Sequence, residues 1–196
     1  MITLLIDTHF NILLALFKDE KLLSKKEVIN ERDLGSVCIP SLVDLLKDNE
    51  LDIHDLNDII VCIGPGSFTG ERLGVTIAKT LAYTLNIPIR TVTSLEMYYK
   101  DGYDYIVMEE KNGYYVGIIK NNNIVDYQYL NKDEINNLKG NVLYTHELVD
   151  LDGIVKKTHL KDSLNPHIVN PFYVKKIEVE KWLKKWRIKI LMIFMY

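Results

Sequence analysis

The chain has 196 residues, enough to bury a hydrophobic core as one large domain or two small ones. Its formal net charge of −3 and its isoelectric point near 6.0 exclude a protein that holds nucleic acid by charge alone. No run of about eighteen apolar residues is present, so we expect no transmembrane span; Cys38 and Cys62 are predicted to be buried and reduced, as in the cytoplasm.

The first hundred residues alternate between apolar runs and segments with helical spacing. Three runs at the start predict a strand meander, and a helix follows with Asp33 as its N-cap. Pro40 lies inside that helical pattern and predicts either a kink or a later start of the helix. Ser94 is predicted to cap a further short helix. The longer predicted elements are strands Ile2–Ile6, Asn11–Phe17 and Lys21–Ile29, helix Asp33–Lys47, strand Asp58–Ile63, helix Glu71–Leu85 and strand Ile87–Val92.

A second and shorter half begins near Tyr103. Its predicted elements are strands Tyr105–Met108, Gly113–Lys120 and Ile124–Leu130, helix Asp133–Leu138 and strand Asn141–Tyr144. From 181 to 196 basic residues alternate with tryptophan and aliphatic residues, which is typical of an amphipathic helix that docks on a partner, an anionic membrane or tRNA phosphates. The alternative interpretation is that residues 181–196 are an extension without a function. The predicted organisation is an N-terminal half at 1–100, a smaller half at 101–176 and a tail at 177–196.

A glycine-rich loop joins the predicted strand before residue 64 to the second helix. Strand, glycine turn and helix in this order often hold a phosphate at the helix N-terminus. Three known patterns do not fit here: a Walker loop needs lysine where Glu71 stands, a Rossmann loop needs glycine at Thr69, and a hydrolase elbow needs glycine two residues either side of Ser67. We therefore interpret the loop as structural, with residues Gly64, Pro65, Gly66, Ser67, Phe68 and Thr69.

Small residues repeat every four positions along the second helix, beside a stripe of leucines and isoleucine. Small side chains at this spacing let a helix backbone approach its neighbour closely. Two interpretations stay open: close packing against the protein's own sheet, or a docking surface for another helix. The small residues are Gly70, Gly74, Ala78 and Ala82.

The segment from Ile63 to Gly74, with Ala78 and Lys79, resembles the signature of the TsaB (YeaZ) family, which belongs to the glycoprotease-like proteins. The resemblance continues in four further segments, and it is good to about residue 100 and thin from there to about 176. Those segments are Leu4-Leu5-Ile6-Asp7-Thr8, Pro40 with Leu45-Leu46, Ile87-Pro88 to Glu96, and Pro171-Phe172-Tyr173-Val174.

This resemblance implies an α/β fold of the actin-like, sugar-kinase-like class (ASKHA, ribonuclease H-like), with two α/β halves of which the second is reduced. It implies a subunit without activity of its own in the complex that forms threonylcarbamoyladenosine on tRNA, next to the anticodon. The implied partners are a TsaD-like catalytic subunit, a TsaE-like ATPase, tRNA through the complex, and a second copy in a homodimer.

Family members form a bundle with a partner through the first two helices of the N-terminal half. The partner-binding residues that the resemblance implies are Pro40, Gly70, Arg72, Gly74, Ala78 and Ala82. Arg72 has an alternative role, in which it bonds carbonyl groups of the glycine loop. Leu34 and Glu71 depart from the family pattern, and we expect both on or near the partner surface.

Asp7 and Thr8 match the family's phosphate-facing position and form a possible vestigial nucleotide site, although Asp7 could instead hold the hairpin turn. Bulky His9 and Phe10, followed by Asn11, replace the family's Ser-Thr-Glu there and make ATP binding by this chain alone doubtful. ATP at the level of the complex stays possible.

No catalytic or metal-binding residue is predicted, because none of the five histidines lies three or four residues from another. Two other functional classes stay open. One is an independent kinase or peptidase of the same superfamily, and the other is an interaction or membrane-surface protein that acts through its tail.

Overall fold

A five-stranded sheet organises the N-terminal part of the molecule. The computed structural model describes residues 1–29, 33–145 and 149–175. The strand order is β3-β2-β1-β4-β5, in which the first three strands form an antiparallel meander and β4 and β5 run parallel to β1. The strands are β1 (Ile2–Asp7), β2 (Ile12–Lys18), β3 (Lys21–Val28), β4 (Asp58–Cys62) and β5 (Ile89–Val92).

Helices cover both faces of this sheet. Helices α1 (Leu34–Asp48) and α2 (Phe68–Leu85) pack on one face, where Leu4 and Ile6 of β1 point. The intervening Leu5 points to the opposite face and packs in the cluster that contains α3 (Leu151–His159). Because alternate side chains of a strand point to opposite faces, a strand covered on both sides must be mainly apolar, as residues 4–6 of β1 and 59–62 of β4 are.

A second sheet of four strands follows in chain order, with the arrangement β8-β7-β6-β9. Asn121 and Asn122 have positive φ, as expected in the tight turn between β7 and β8. The strands are β6 (Tyr105–Glu110), β7 (Gly113–Lys120), β8 (Asn123–Leu130) and β9 (Val142–Tyr144).

The chain beyond β9 returns to the first sheet. Leu164 forms a bridge with Ile89 of β5, and the Phe172 amide donates to the Ile63 carbonyl at 2.7 Å. Lys79 of α2 donates to the Val169 carbonyl at 2.8 Å. The division into 1–100 and 101–176 stays a prediction; the structure adds that α3, Leu164 and Val169 pack against the first sheet, whereas Val174 packs in a cluster of the second sheet.

Most predicted elements are confirmed, with the following corrections. The helix with Pro40 starts at Leu34, next to its N-cap Asp33, so a later start is wrong. The helix predicted over Asp133–Leu138 is one 3₁₀ turn at Ile135–Asn137. The strand predicted from Ile87 begins two residues later, and α3 had no prediction. The predicted tail lies outside the described residues.

Within 1–29, 33–145 and 149–175, no helix combines the length and the apolar character that crossing a membrane takes.

Candidate functional site

The glycine loop after β4 lies directly against the turn that joins β1 to β2. The Ser67 amide donates to the His9 carbonyl at 2.7 Å. The hydroxyl of Thr8, which is fully buried, donates to the Gly70 carbonyl at 2.6 Å. Two hydrogen bonds in opposite directions therefore join the β1–β2 turn to the start of α2, and they fix where this helix crosses the sheet.

Three glycines allow this close approach because they lack a Cβ. A Cβ on Gly66 would lie 2.8 Å from the His9 carbonyl oxygen. A Cβ on Gly70 would come well inside 3.0 Å of the Thr8 carbonyl oxygen, and one on Gly74 would come inside 3.0 Å of the Thr8 hydroxyl oxygen, though less closely. The glycine pattern of this segment therefore reflects contact between the loop, the helix and the hairpin of the same chain.

The stripe of small residues on α2 faces the protein's own sheet. All four members are buried, with Ala78 0% and Ala82 1% exposed. Both alanines pack in the core cluster beneath α2. Of the two interpretations left open by the sequence, close packing against the protein's own sheet is the one observed. The four residues Gly70, Gly74, Ala78 and Ala82 are too buried to form a docking surface.

Ser67 is the N-cap of α2, and its hydroxyl accepts from the Gly70 amide at 3.4 Å. The helix begins at Phe68, so Phe68 and Thr69, which were predicted as loop residues, form its first turn and are exposed. Two amides near the helix start are already engaged: the Ser67 amide donates to the His9 carbonyl, and the Gly70 amide donates to the Ser67 hydroxyl.

Glu71 points inward to the glycine loop. Its side chain is 1% exposed and packs against Gly64, which has a φ of +97°. Burial raises the pKa of the Glu71 carboxyl to about 7, against the smaller lowering effects of the Gly66 amide and of His9. One carboxylate oxygen, Oε2, has no hydrogen-bond partner among the described residues. The expectation that Glu71 lies on or near a partner surface is therefore wrong.

Asp7, His9 and Cys62 form a buried cluster beside Glu71. His9 Nδ1 lies 2.5 Å from Asp7 Oδ1, which also accepts from the His9 amide at 3.0 Å, so Asp7 holds the hairpin turn. Burial would raise the pKa of Asp7, but the charge and hydrogen bonds of His9 lower it overall. Burial together with nearby Asp7 raises the pKa of the Cys62 thiol well above its usual value.

Sequence reasoning missed this cluster because its members have no local motif. Asp7 and Cys62 end two neighbouring parallel strands, β1 and β4, and His9 follows in the hairpin turn. The available signal was the alignment of strand ends, since the carboxyl ends of parallel strands meet at one edge of a sheet. Both cysteines of the chain are free and buried, as predicted.

Arg72 lies on the exposed side of α2, against the C-terminal segment. Its Nε donates to the Tyr173 hydroxyl at 3.0 Å, and its guanidinium carbon lies 3.8 Å from the centroid of the Phe68 ring. The rings of Phe68 and Tyr173 stack at 5.4 Å. These contacts replace the predicted bonds between Arg72 and the carbonyls of the glycine loop.

Pro40 lies on the exposed face of α1, between two exposed apolar side chains. Ile39 is 46% exposed and Val43 is 56% exposed. We call Ile39, Pro40 and Val43 the α1 patch. The opposite face of the helix, with Cys38, Leu42, Leu45 and Leu46, is buried in the core. Leu34 is half-buried and packs against that core, at the beginning of the same helix.

Ser94 anchors the glycine loop from the β5 side. Its amide donates to the Gly64 carbonyl at 2.9 Å, and its buried hydroxyl donates to the Pro65 carbonyl at 2.6 Å. The helix-capping role predicted for Ser94 is therefore wrong. Thr93 and Glu96 provide the cap instead, because each side chain accepts from the other's backbone amide.

We expect Ser94→Ala to lower the free energy of unfolding by about 1–2 kcal/mol, because the Pro65 carbonyl loses its buried donor. Urea unfolding measures this. The control is Thr80→Ala, which removes an exposed hydroxyl bonded only to the preceding helical turn and should cost less than about 0.5 kcal/mol. Equal losses in the two variants would show that Ser94 does not anchor the loop.

Comparison with solved structures defines the class of protein. A crystal structure from Pseudomonas aeruginosa, described as an uncharacterized protein with similarity to peptidase YEAZ, superposes with a TM-score of 0.68 at 15% identity, over 89% of this chain and 99% of that one. YeaZ from Pseudomonas aeruginosa superposes with a TM-score of 0.67 at 16% identity, over 88% and 99%. The predicted α/β fold is confirmed, and it is the fold of these two structures.

Sequence comparison finds similar proteins over part of the chain. The family model described as TsaD, tRNA N6-adenosine threonylcarbamoyltransferase, matches residues 29–106. The tRNA threonylcarbamoyladenosine biosynthesis protein TsaB of Bacillus subtilis is 39% identical over 97 residues, which are 49% of this chain and 42% of that protein. The chain thus spans less than half the length of this relative. Over the matched segments the chain is similar to a TsaB protein and to the TsaD family model, in agreement with the resemblance found in the sequence.

Proposed function

We propose that this chain is a cytoplasmic accessory subunit without catalytic activity of its own, which binds and stabilises a TsaD-like catalytic subunit that forms threonylcarbamoyladenosine on tRNA. The similarity to a TsaB protein and to the TsaD family model over the N-terminal half supports this function. A TsaE-like ATPase would be the third protein, and tRNA would be reached through the complex.

The α1 patch is the observation that carries the proposal. Three neighbouring apolar residues lie on one helix face, and Ile39 and Val43 are about half exposed. Their removal from water by a partner would lower the free energy of the complex. Exposed polar residues border the patch on the same helix, among them Ser36, Asp44 and Lys47. An apolar centre with a polar rim is the usual composition of a protein interface.

A partner cannot contact the stripe of small residues on α2, because all four are buried. We therefore propose α1 and the exposed side of α2 as the contact surface in place of Gly70, Gly74, Ala78 and Ala82. That side presents Phe68 and Arg72 at its N-terminal end and Tyr83, which is 66% exposed, near its C-terminal end. Aromatic residues and arginine contribute strongly to binding energy at interfaces. We propose that the partner binds α1 mainly through the α1 patch.

The contacts of the glycine loop make an independent kinase the weaker alternative. A phosphate bound at this loop would need free amide donors, and the amides of Ser67 and Gly70 already have partners within the chain. The carboxylate of Glu71 also occupies the space next to Gly64 and would repel an anion when ionised. We therefore propose that any ATP is handled by another subunit.

Two matched valine variants test the proposed partner surface. Val43→Glu puts a charge into the α1 patch, and Val125→Glu makes the same change at a 54% exposed valine of the edge strand β8. With the TsaD-like subunit of the same organism, we expect Val43→Glu to raise Kd at least about tenfold, which is about 1.4 kcal/mol. Titration calorimetry measures Kd, and Val125→Glu should stay within about twofold of the unsubstituted chain.

Both valines are exposed, so both variants should fold, and circular dichroism checks this. A TsaD-like subunit that binds the Val43→Glu variant as tightly as the unsubstituted chain would rule out the α1 patch as its contact surface.

A further inference from the structure

The buried cluster at the ends of β1 and β4 contains the donor types that proteins use for zinc. Asp7, His9 and Cys62 each offer one ligand atom, and these atoms all lie within 4.8 Å of one another. The three residues are 4%, 7% and 1% exposed. Carboxylate oxygen, imidazole nitrogen and thiolate sulfur are the ligands of tetrahedral zinc sites, in which neighbouring donors lie about 3.5 Å apart.

A further buried carboxylate lies near the three residues, outside the group whose ligand atoms are within 4.8 Å of one another. Glu71 is 1% exposed, and its Oε2 is buried without a hydrogen-bond partner among the described residues. Its carboxyl group packs against Gly64, two residues after Cys62 in the chain. A buried carboxylate oxygen without a partner is costly, and a bound cation would satisfy it.

Hydrogen bonds alone explain only part of the arrangement. The contact of Asp7 with His9 at 2.5 Å accounts for those two side chains, and the Cys62 sulfur lies within 4.8 Å of both ligand atoms. Neither contact reaches Oε2 of Glu71. Asp7, Cys62 and Glu71 are potentially anionic groups near the His9 imidazole. A divalent cation would balance their charges when they are ionised.

We propose that Asp7, His9 and Cys62 bind one Zn²⁺ ion and that the Glu71 carboxylate turns towards it as the fourth ligand, which ties the β1–β2 turn to the end of β4 and to the first turn of α2. Binding would replace the hydrogen shared by Asp7 and His9, the thiol proton of Cys62 and the proton of Glu71 where it is protonated, and these protons would pass to water. Asp7 Oδ1 and His9 Nδ1 would separate by about 1 Å to take up tetrahedral positions.

An entry route exists beside the cluster. A cavity of about 280 Å³ is lined by Asp7 and His9 on one side and by residues of β2, β3 and the start of α3 on the others. Lys25 and Glu27 lie at its lining with Phe10 and Tyr98. A hydrated cation could therefore reach Asp7 and His9 without unfolding of the sheet.

Cobalt titration of the full chain tests the proposal without a change in the cluster. The two cysteines allow this design, because Cys38→Ser leaves Cys62 as the one remaining thiol. After removal of metal with a chelator, we expect one equivalent of Co²⁺ to produce a thiolate-to-cobalt charge-transfer band in this variant, and Zn²⁺ to abolish the band by displacement. Absence of the band in Cys38→Ser would overturn the proposal.

Variants of the cluster complete the test. We expect Cys62→Ser to lose the band and at least about 100-fold in zinc affinity, and Glu71→Gln to lose about tenfold. Zn²⁺ should raise the thermal midpoint of the unsubstituted chain and of Cys38→Ser, and leave that of Cys62→Ser unchanged. A band that persists in Cys62→Ser, or an unchanged zinc affinity in Glu71→Gln, would contradict the four-ligand site.

Discussion

Gly70→Ala is expected to lower the free energy of unfolding by about 3 kcal/mol, the upper part of the range for overpacked sites. The added Cβ would lie well inside 3.0 Å of the Thr8 carbonyl oxygen, and this atom belongs to the backbone of a buried turn. To relieve this clash, α2 must shift away from β1. The shift also lengthens the hydrogen bond from the Thr8 hydroxyl to the Gly70 carbonyl. Urea unfolding followed by circular dichroism measures the loss.

Gly35→Ala is the matched control for this substitution. Gly35 lies in the first turn of α1, and a Cβ there would meet only Asp33 Oδ1, at an ordinary 3.4 Å. Since alanine favours a helix more than glycine does, we expect this variant to be as stable as the unsubstituted chain or more stable by up to about 1 kcal/mol. A Gly70→Ala chain that unfolds at the same urea concentration as Gly35→Ala would contradict the close contact of α2 with the hairpin.

Arg90→Met is expected to cost about 3–5 kcal/mol, because it leaves the Asp58 carboxylate buried without its main counter-charge. Asp58 is 1% exposed and is bonded by the Arg90 guanidinium, with His159 Nε2 at 3.2 Å from its second oxygen. Burial already raises the pKa of Asp58, against the effects of Arg90 and His159, and removal of Arg90 raises it further.

Because the pKa of Asp58 rises in Arg90→Met, the loss in the free energy of unfolding depends on pH. Above its folded-state pKa Asp58 is ionised and destabilises the variant, whereas a proton removes the buried charge at lower pH. The destabilisation by Arg90→Met should therefore be larger near pH 8 than near pH 5. The control, Lys25→Met, breaks a surface pair with Glu27 and should cost less than about 1 kcal/mol at either pH. Equal losses in the two variants would show that the Asp58 pair is not needed for stability.

The N-terminal half could be predicted from sequence because its strands are continuous apolar runs bounded by turn residues. The runs at 2–6 and 58–63 differ from β1 and β4 by no more than one residue at either end. Helix α3 was missed because it is nine residues long and contains Gly153, although Asp150 as its N-cap and the spacing of Leu151, Ile154 and Val155 were visible signals.

The site was less predictable, because it depends on which elements meet. The four-residue repeat of small side chains shows that one face of α2 allows close approach, but only the position of Thr8 shows that the neighbour is the chain's own hairpin. The direction of Glu71 depends in the same way on the loop that folds back over the helix start. Asp7, His9 and Cys62 meet through parallel strand pairing, which no local spacing reveals.

Formation of threonylcarbamoyladenosine in a reconstituted mixture tests the proposed accessory role most directly. The mixture contains tRNA, the adenylate-forming enzyme, and the TsaD-like and TsaE-like proteins of the same organism, with this chain present or omitted. Mass spectrometry of the tRNA nucleosides measures the product. The accessory role predicts modification that depends on this chain and none from the chain alone. Full modification without the chain would contradict it.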